Sequence, residues 1–246
     1  MTTKDLFSGH AGLYAAFRPT YPDELFDFIL KHVDSHMNAW DCATGNGQVA
    51  FVLSRYFKQV HATDISQTQL DHAQQAMNIN YGISTAEKTT FPDHHFDLIT
   101  VAQAFHWFDP DKFFTEAKRV LKPNGLMAIW GYGLLSIDKQ CDEAILHFYK
   151  NIVGPYWDRA RKLVDEGYRE SNFPFKKIDT PSFSIRVSWT LKHLAGYLES
   201  WSATQRYIKE KQMNPVTPFI DQLRNTWHDQ EEKLITFPIF LAMGKW

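Results

Sequence analysis

Cysteine is scarce: Cys42 and Cys141 are the only two in 246 residues, and 99 positions separate them. Neither lies in a Cys-x-x-Cys pair, so no disulfide framework is in prospect and a reduced, cytoplasmic protein is expected. The opening residues MTTKDLFSGH contain no apolar stretch of the signal-peptide kind. No apolar run nears the ~18 residues of a membrane span, so no membrane partner is expected. An excess of one charge is also missing. The net charge is −2 and the Lys and Arg residues are scattered, which argues against a nucleic-acid partner. What is present is a composition that folds. Hydrophobic residues make up 44% and charged residues 22%, enough for a sizeable core. Aromatics reach 15%, with eight Trp, which hints at an aromatic-lined pocket, although rings more often simply fill cores.

Along the chain, apolar runs of strand length alternate with helical periodicity. Pro22–Val33 reads as a helix with Asp23 and Glu24 at its start. Asn38–Cys42, Gln59–Thr63, Tyr81–Ser84, Phe96–Val101 and Leu126–Trp130 read as strands. Ser66 caps a helix expected to reach Met77, and Asp109 caps one expected to reach Leu121, followed by a Pro123-Asn124-Gly125 turn. A helix over Asp138–Ile152, a strand over Phe183–Val187, a helix over Thr190–Trp201 and a last strand over Leu234–Met243 follow. The alternation implies an α/β fold: a doubly wound, mostly parallel, seven-stranded sheet with a helical cap. With no repeats and no clear linker, residues 1–246 read as a single domain. Within it, 1–37 form an N-terminal lid and first helix, 38–135 the ligand-binding core, 154–231 the cap around a late strand, and 232–246 the final strand.

Open α/β sheets bind ligands at the carboxyl ends of their strands. The first such end carries Asp41-Cys-Ala-Thr-Gly-Asn-Gly47. Its glycines suit either an ordinary tight turn or close approach of backbone to a ligand. The dinucleotide pattern GxGxxG is not met, because Ala43 fills the first position and nothing after Gly47 supplies the third. Asp64, at the end of the second strand, stands 19 positions after Gly45. It suits a helix start, or acceptance of both hydroxyls of a ribose. Ser84-Thr-Ala-Glu87 ends the third strand, where a polar side chain can meet an adenine amino group or remain a surface residue. The His94-His95 pair sits in a polar turn without regularly spaced partners, so no metal site is expected.

At these residues the chain resembles the class I S-adenosylmethionine (SAM)-dependent methyltransferases. WDCATGNGQ approximates their first motif, with Ala43 in place of a common Gly. Asp64 matches the acidic ribose residue, AEKTTFPDHHFD the adenine loop, and VLKPNGLMAIW the motif after the sheet's centre. YAAFRPTYP, AQAFHWFD and WTLKHLAGYLESWSATQRY are similar to a subgroup of trans-aconitate methyltransferase-like enzymes. The resemblance implies SAM as cofactor and S-adenosylhomocysteine as product. It implies a cofactor site made of Asp41, Ala43, Thr44, Gly45, Gly47 and Gln48 from the first turn, with Asp64 and Ile65 from the second. Ala86 and Glu87 join from the third, and Gln103, Ala104 and His106 from the fourth. Tyr14 and Arg18 would come from a lid running from His10 to Tyr21.

Methyl transfer from a sulfonium is an in-line displacement, so the protein mainly aligns the reactants and excludes water. His106 and Trp107 are the candidate catalytic residues. His106 reads as a general base, as a positioning residue or as a structural histidine, and Trp107 as a pocket wall or as packing. Trp107, Tyr132, Trp201 and Arg206 are the candidate acceptor-binding residues. The expected activity is methylation of a small molecule, with a carboxylate as one acceptor. A catalytically silent SAM-binding protein and a nucleotide-dependent oxidoreductase are the competing readings. A nucleic-acid or protein methyltransferase is disfavoured, because AQAFHWF stands where an Asn-Pro-Pro-Tyr-type signature would be. Monomer and dimer both stay open.

Overall fold

The computed structural model describes residues 17–169 and 172–246. Tyr14 and most of the expected lid lie outside them. One mixed sheet organises the chain in the order β3-β2-β1-β4-β5-β8, with β6 and β7 both on the far edge of β8. Its parallel part is β1 (Asn38–Cys42), β2 (Gln59–Asp64), β3 (Ile79–Ile83), β4 (Phe96–Ala102) and β5 (Leu121–Tyr132). β8 (Lys233–Lys245) runs antiparallel to β5, pairing Leu126 with Lys245 and Tyr132 with Ile239. Its other edge holds β7 (Phe183–Trp189) and the two-residue β6 (Lys176–Lys177). The sheet therefore has eight strands where seven are expected, the extra one being β6.

Local chemistry explains the helices. Asp23 and Glu24 complement the N-terminal dipole of α1 (Asp23–Leu30), which buries Leu25, Phe26 and Ile29. After β1, the chain turns into α2 (Gln48–Leu53) through three left-handed residues, Ala43, Gly45 and Gly47. Ser66 accepts a hydrogen bond from the Gln69 N–H and starts α3. This helix ends at Asp71, well short of Met77. The cause is tertiary: Gln74 donates its N–H to Asn46 O at 3.2 Å and its carbonyl accepts from Tyr81 Oη at 2.5 Å. Both backbone groups of Gln74 are thus taken by the glycine turn and β3, which starts at Ile79, where it pairs with Val60 of β2.

Asp109 caps α4 (Pro110–Val120), which passes directly into β5. The expected Pro123-Asn124-Gly125 turn is an irregularity inside β5, with Asn124 at φ 64° and a register shift opposite Phe96 and Leu98. The chain then forms α5 (Lys139–His147), a π turn over Phe148–Ile152, a short turn at Gly154–Tyr156 and α6 (Arg161–Asp165). After β7 come α7 (Leu191–Glu199), α8 (Ser202–Lys211) and α9 (Val216–Leu223). These later helices hold many of the aromatic rings. Phe148, Tyr149, Trp157, Tyr197 and Trp201 pack with centroids 5.1 to 6.2 Å apart. Among the described residues no helix is long and apolar enough to cross a membrane.

Candidate active site

A cavity of about 960 Å³ opens at the carboxyl ends of β1, β2, β3 and β4, at the upper end of the ~300–1,000 Å³ usual for small-molecule sites. At one end stands the first glycine turn. Asp41 anchors it while being only 1% exposed. Its carboxylate accepts from Thr44 Oγ1 at 2.5 Å, Thr100 Oγ1 at 2.8 Å and Ala50 N–H at 3.1 Å. Burial nevertheless dominates and lifts its pKa to about 6, with the neighbouring Asp64 charge adding a little. Asp64 accepts from the N–H groups of Gly45 and Ser66, each at 2.9 Å, so the turns after β1 and β2 are fixed to each other.

Ala43, Thr44, Gly45, Gln48, Asp64 and Ile65 all line the cavity. Gly47 is not among the lining residues; a Cβ there would sit 2.3 Å from Tyr81 Oη, so this glycine makes room for a tyrosine. Gln69 was missed by sequence reading. It lines the cavity, is 4% exposed, and its Oε1 has no hydrogen-bond partner among the described residues. A buried carboxamide oxygen left this way costs roughly 1–3 kcal/mol unless a ligand or water donates to it. A ligand rich in hydroxyl and amino donors fits this end. The signal was available, since Gln69 is three residues past the cap Ser66 in the first turn of a helix starting at the sheet's ligand edge.

Ala86 and Glu87 line the cavity above β3, where Glu87 Oε1 accepts the Asp109 N–H at 3.0 Å and ties this loop to α4. Gln103 and Ala104 follow β4 on the same wall. Gln103 adopts φ 54°, and its Oε1 accepts the Tyr132 N–H at 2.8 Å, so a side chain bridges the ends of β4 and β5 where backbone pairing has stopped.

At the other end stand His106, Trp107, Tyr132, Arg18, Asp158 and Arg206. His106 and Trp107 form a short 3₁₀ turn, with ring centroids 4.7 Å apart. His106 Nδ1 and Tyr168 Oη share a 3.0 Å hydrogen bond. Burial, helped by the positive charge of Arg161 and opposed by Asp158, pushes the His106 pKa down to about 3. The ring is therefore neutral at pH 7 and a weak proton acceptor. Arg18 donates to Tyr132 Oη at 3.0 Å and to Ser200 O at 3.3 Å, with its guanidinium 5.3 Å from the Tyr197 ring centroid. Arg206 pairs with Asp158 at 3.1 Å. Trp201 does not reach the cavity: at 3% exposed it belongs to the aromatic cluster of the cap. Tyr21, Trp107, Phe108 and Tyr132 do line the cavity, while many of the other rings fill cores.

The methyltransferase-domain family model matches residues 40–129, from the middle of β1 into β5. A Dictyostelium discoideum chain provisionally named a methyltransferase is 35% identical over 98% of this chain and 95% of its own. A solved structure from Anaeromyxobacter dehalogenans, described provisionally as a type II methyltransferase, superposes with a TM-score of 0.86 at 32% identity, over 94% of this chain and 98% of that one. CRG1 of Saccharomyces cerevisiae, whose provisional name is S-adenosylmethionine-dependent methyltransferase, is 23% identical over 93% of this chain and 90% of its own. The chain belongs to the class I SAM-dependent methyltransferases. Its cofactor is S-adenosylmethionine, and the oxidoreductase reading falls away.

Proposed function

We propose that this methyltransferase acts on a small molecule that enters between Arg18, Trp107 and Arg206, and that the reacting group is a carboxylate, giving a methyl ester. The observation that carries this reading is the neutral, half-buried His106, which lines the cavity and shares its Nδ1 hydrogen bond with Tyr168. A hydroxyl or amine acceptor has to lose a proton, and an imidazole held this far below its ordinary pKa takes one poorly. A carboxylate is already ionised at pH 7 and presents a lone pair without any base. The resemblance to the trans-aconitate-type subgroup supports the same acceptor.

When bound, the cofactor would supply an electrophilic methyl group on a positively charged sulfur, which would keep the bonding electron pair as the acceptor oxygen took the methyl. The chain's own residues hold and align. Asp64 keeps lone pairs for a ribose diol while its backbone bonds fix its direction. Ala43, Thr44 and Gly45 form a turn close enough for ligand contact. Gln69 accepts from a further donor, and Ala86 and Glu87 flank the base. Gln103 would stand at the amino-acid part, and Arg18 between that part and the acceptor. Trp107 walls the reacting centre, and its face suits a sulfonium. Alignment of this kind supplies roughly 7–11 kcal/mol of the barrier.

The test is a screen of di- and tricarboxylic acids with methyl-labelled SAM. Base-labile labelled product is expected. Base-stable product would overturn the carboxylate assignment. Absence of turnover with every acid, alongside intact SAM binding, would also count against the carboxylate.

A further inference from the structure

Beside His106 the cavity continues into a side pocket of about 50 Å³, lined by Arg161, Arg18, Trp107, Trp157 and Asp158 among others. Its size suits a single small polar group. Arg161 comes from α6, in the irregular stretch that sequence reading treated only as cap, and its side chain is 18% exposed. Its geometry is fixed from one side. Nε donates to Tyr149 Oη at 2.9 Å and approaches Asp165 at 3.3 Å, and the guanidinium lies 4.8 Å from the Trp157 ring centroid and 5.5 Å from that of Tyr149. Nη1 and Nη2 have no hydrogen-bond partner among the described residues. Asp165 is half exposed and reaches only Nε, so it screens this charge weakly. Asp158, the one carboxylate of the side pocket, is held by Arg206.

A guanidinium held at Nε and resting against two neighbouring aromatic rings, with its outer nitrogens unfilled, is preorganised for an anion that offers two oxygens side by side. We propose that Arg161 is the anchor for an anionic group of the acceptor, a carboxylate or a phosphate, seated in this side pocket. The anchored group is not the one that is methylated. An oxygen held in a bidentate guanidinium pair has its lone pairs engaged and is a poor nucleophile, so the reacting oxygen belongs to a second group of the same molecule, beside His106 and Trp107. The acceptor is then a small acid with at least two anionic groups. This identification of the acceptor rests on the carboxylate reading above, whereas anion binding at Arg161 does not.

Calorimetry separates the two. Succinate, inorganic phosphate and neutral succinamide are titrated into the wild-type protein, Arg161→Met and Arg161→Lys, each with and without S-adenosylhomocysteine. The anchor predicts that succinate or phosphate binds the wild type, that succinamide binds at least tenfold more weakly, and that Arg161→Met loses the anion at least tenfold. Arg161→Lys, which keeps the charge but not the fork, should fall between. Preference for succinate assigns a carboxylate anchor and preference for phosphate a phosphate anchor. Unchanged anion affinity in Arg161→Met, or equal binding of succinamide, would overturn the proposal. Unchanged S-adenosylhomocysteine affinity in both variants shows that the fold and the cofactor end are intact. Failure of the wild type to bind that nucleoside would sink the cofactor reading instead, with the anion titrations still deciding the anchor.

Discussion

The cofactor end of the cavity is assembled from neighbours in sequence: residues 41–48, 64–69 and 84–87, each a strand end running into its own turn. The acceptor end gathers Arg18, His106, Tyr132, Asp158, Arg161 and Arg206 from five separate segments, Asp158 and Arg161 sharing one turn. The first is held by backbone N–H groups donating to buried or half-buried carboxylates, such as those of Gly45 and Ser66 to Asp64. The second is held by long-range side-chain contacts, such as Arg18 to Tyr132 and Arg206 to Asp158. A site built in this way can keep one cofactor while its acceptor changes, because substitutions in the cap do not disturb the turns.

The largest expected effect lies under the cofactor end. The Asp41 pKa is about 6 in the fold against 3.8 for the free side chain. Between those values the folded protein holds a proton that the unfolded chain has released, so stability falls as pH rises through the window. The loss amounts to up to about 3 kcal/mol once pH exceeds 6. Asp41→Asn has no such titration. Urea unfolding at pH 4.5 and pH 7 should therefore show wild type losing stability relative to the variant, and a constant difference between the two would refute the burial argument. Next comes Asp64→Ala, expected to weaken S-adenosylhomocysteine binding by about 1.5–3 kcal/mol, roughly ten- to hundredfold. Arg206→Ala should leave that affinity within about twofold if the ends are independent. A comparable loss in both variants, read by calorimetry, would break the comparison.

Smaller changes follow. With a carboxylate acceptor, His106→Asn should retain kcat within about tenfold, and the wild-type kcat should be flat from about pH 6 to 8, since His106 stays neutral throughout. A loss of ~10²–10⁴-fold would instead mark a general base. The smallest effect is expected at Ala43, whose φ of 54° suits glycine. Relief of left-handed strain, less the added freedom of glycine in the unfolded chain, should make Ala43→Gly about 0.5–1 kcal/mol more stable, or roughly 1–4 °C in Tm. A fall in Tm would show that the methyl group packs usefully.

The same contrast decides what could be read from sequence. The first turn, Asp64 and the loop at Ala86 and Glu87 were legible because strand, turn and helix lie within a few residues, and the family's spacing fixes their order. Gly47 does not line the cavity as expected, because a glycine that admits Tyr81 and one that admits a ligand look alike in a motif. Trp201 was misassigned, because helical spacing does not say which face meets the cavity. α3 was overextended, because its stop at Asp71 comes from Gln74 bonding to Asn46 and Tyr81, partners on other elements. Arg161 could not be singled out at all. Its clamp is made of Tyr149 and Trp157, which converge on it only once the π turn and the short turn after it have formed.

β8 has a bearing on how the molecule comes into being. It follows every other strand in the chain yet lies between β5 and β7, so those two meet only through it. During synthesis the five parallel strands can join as they emerge, while Leu126–Tyr132 of β5 waits with its outer row of amides and carbonyls unmatched. Such a bare, apolar margin invites pairing with the wrong chain. Until residues 233–245 arrive that margin stays open, and this one strand both seals it and ties β7 to the parallel sheet.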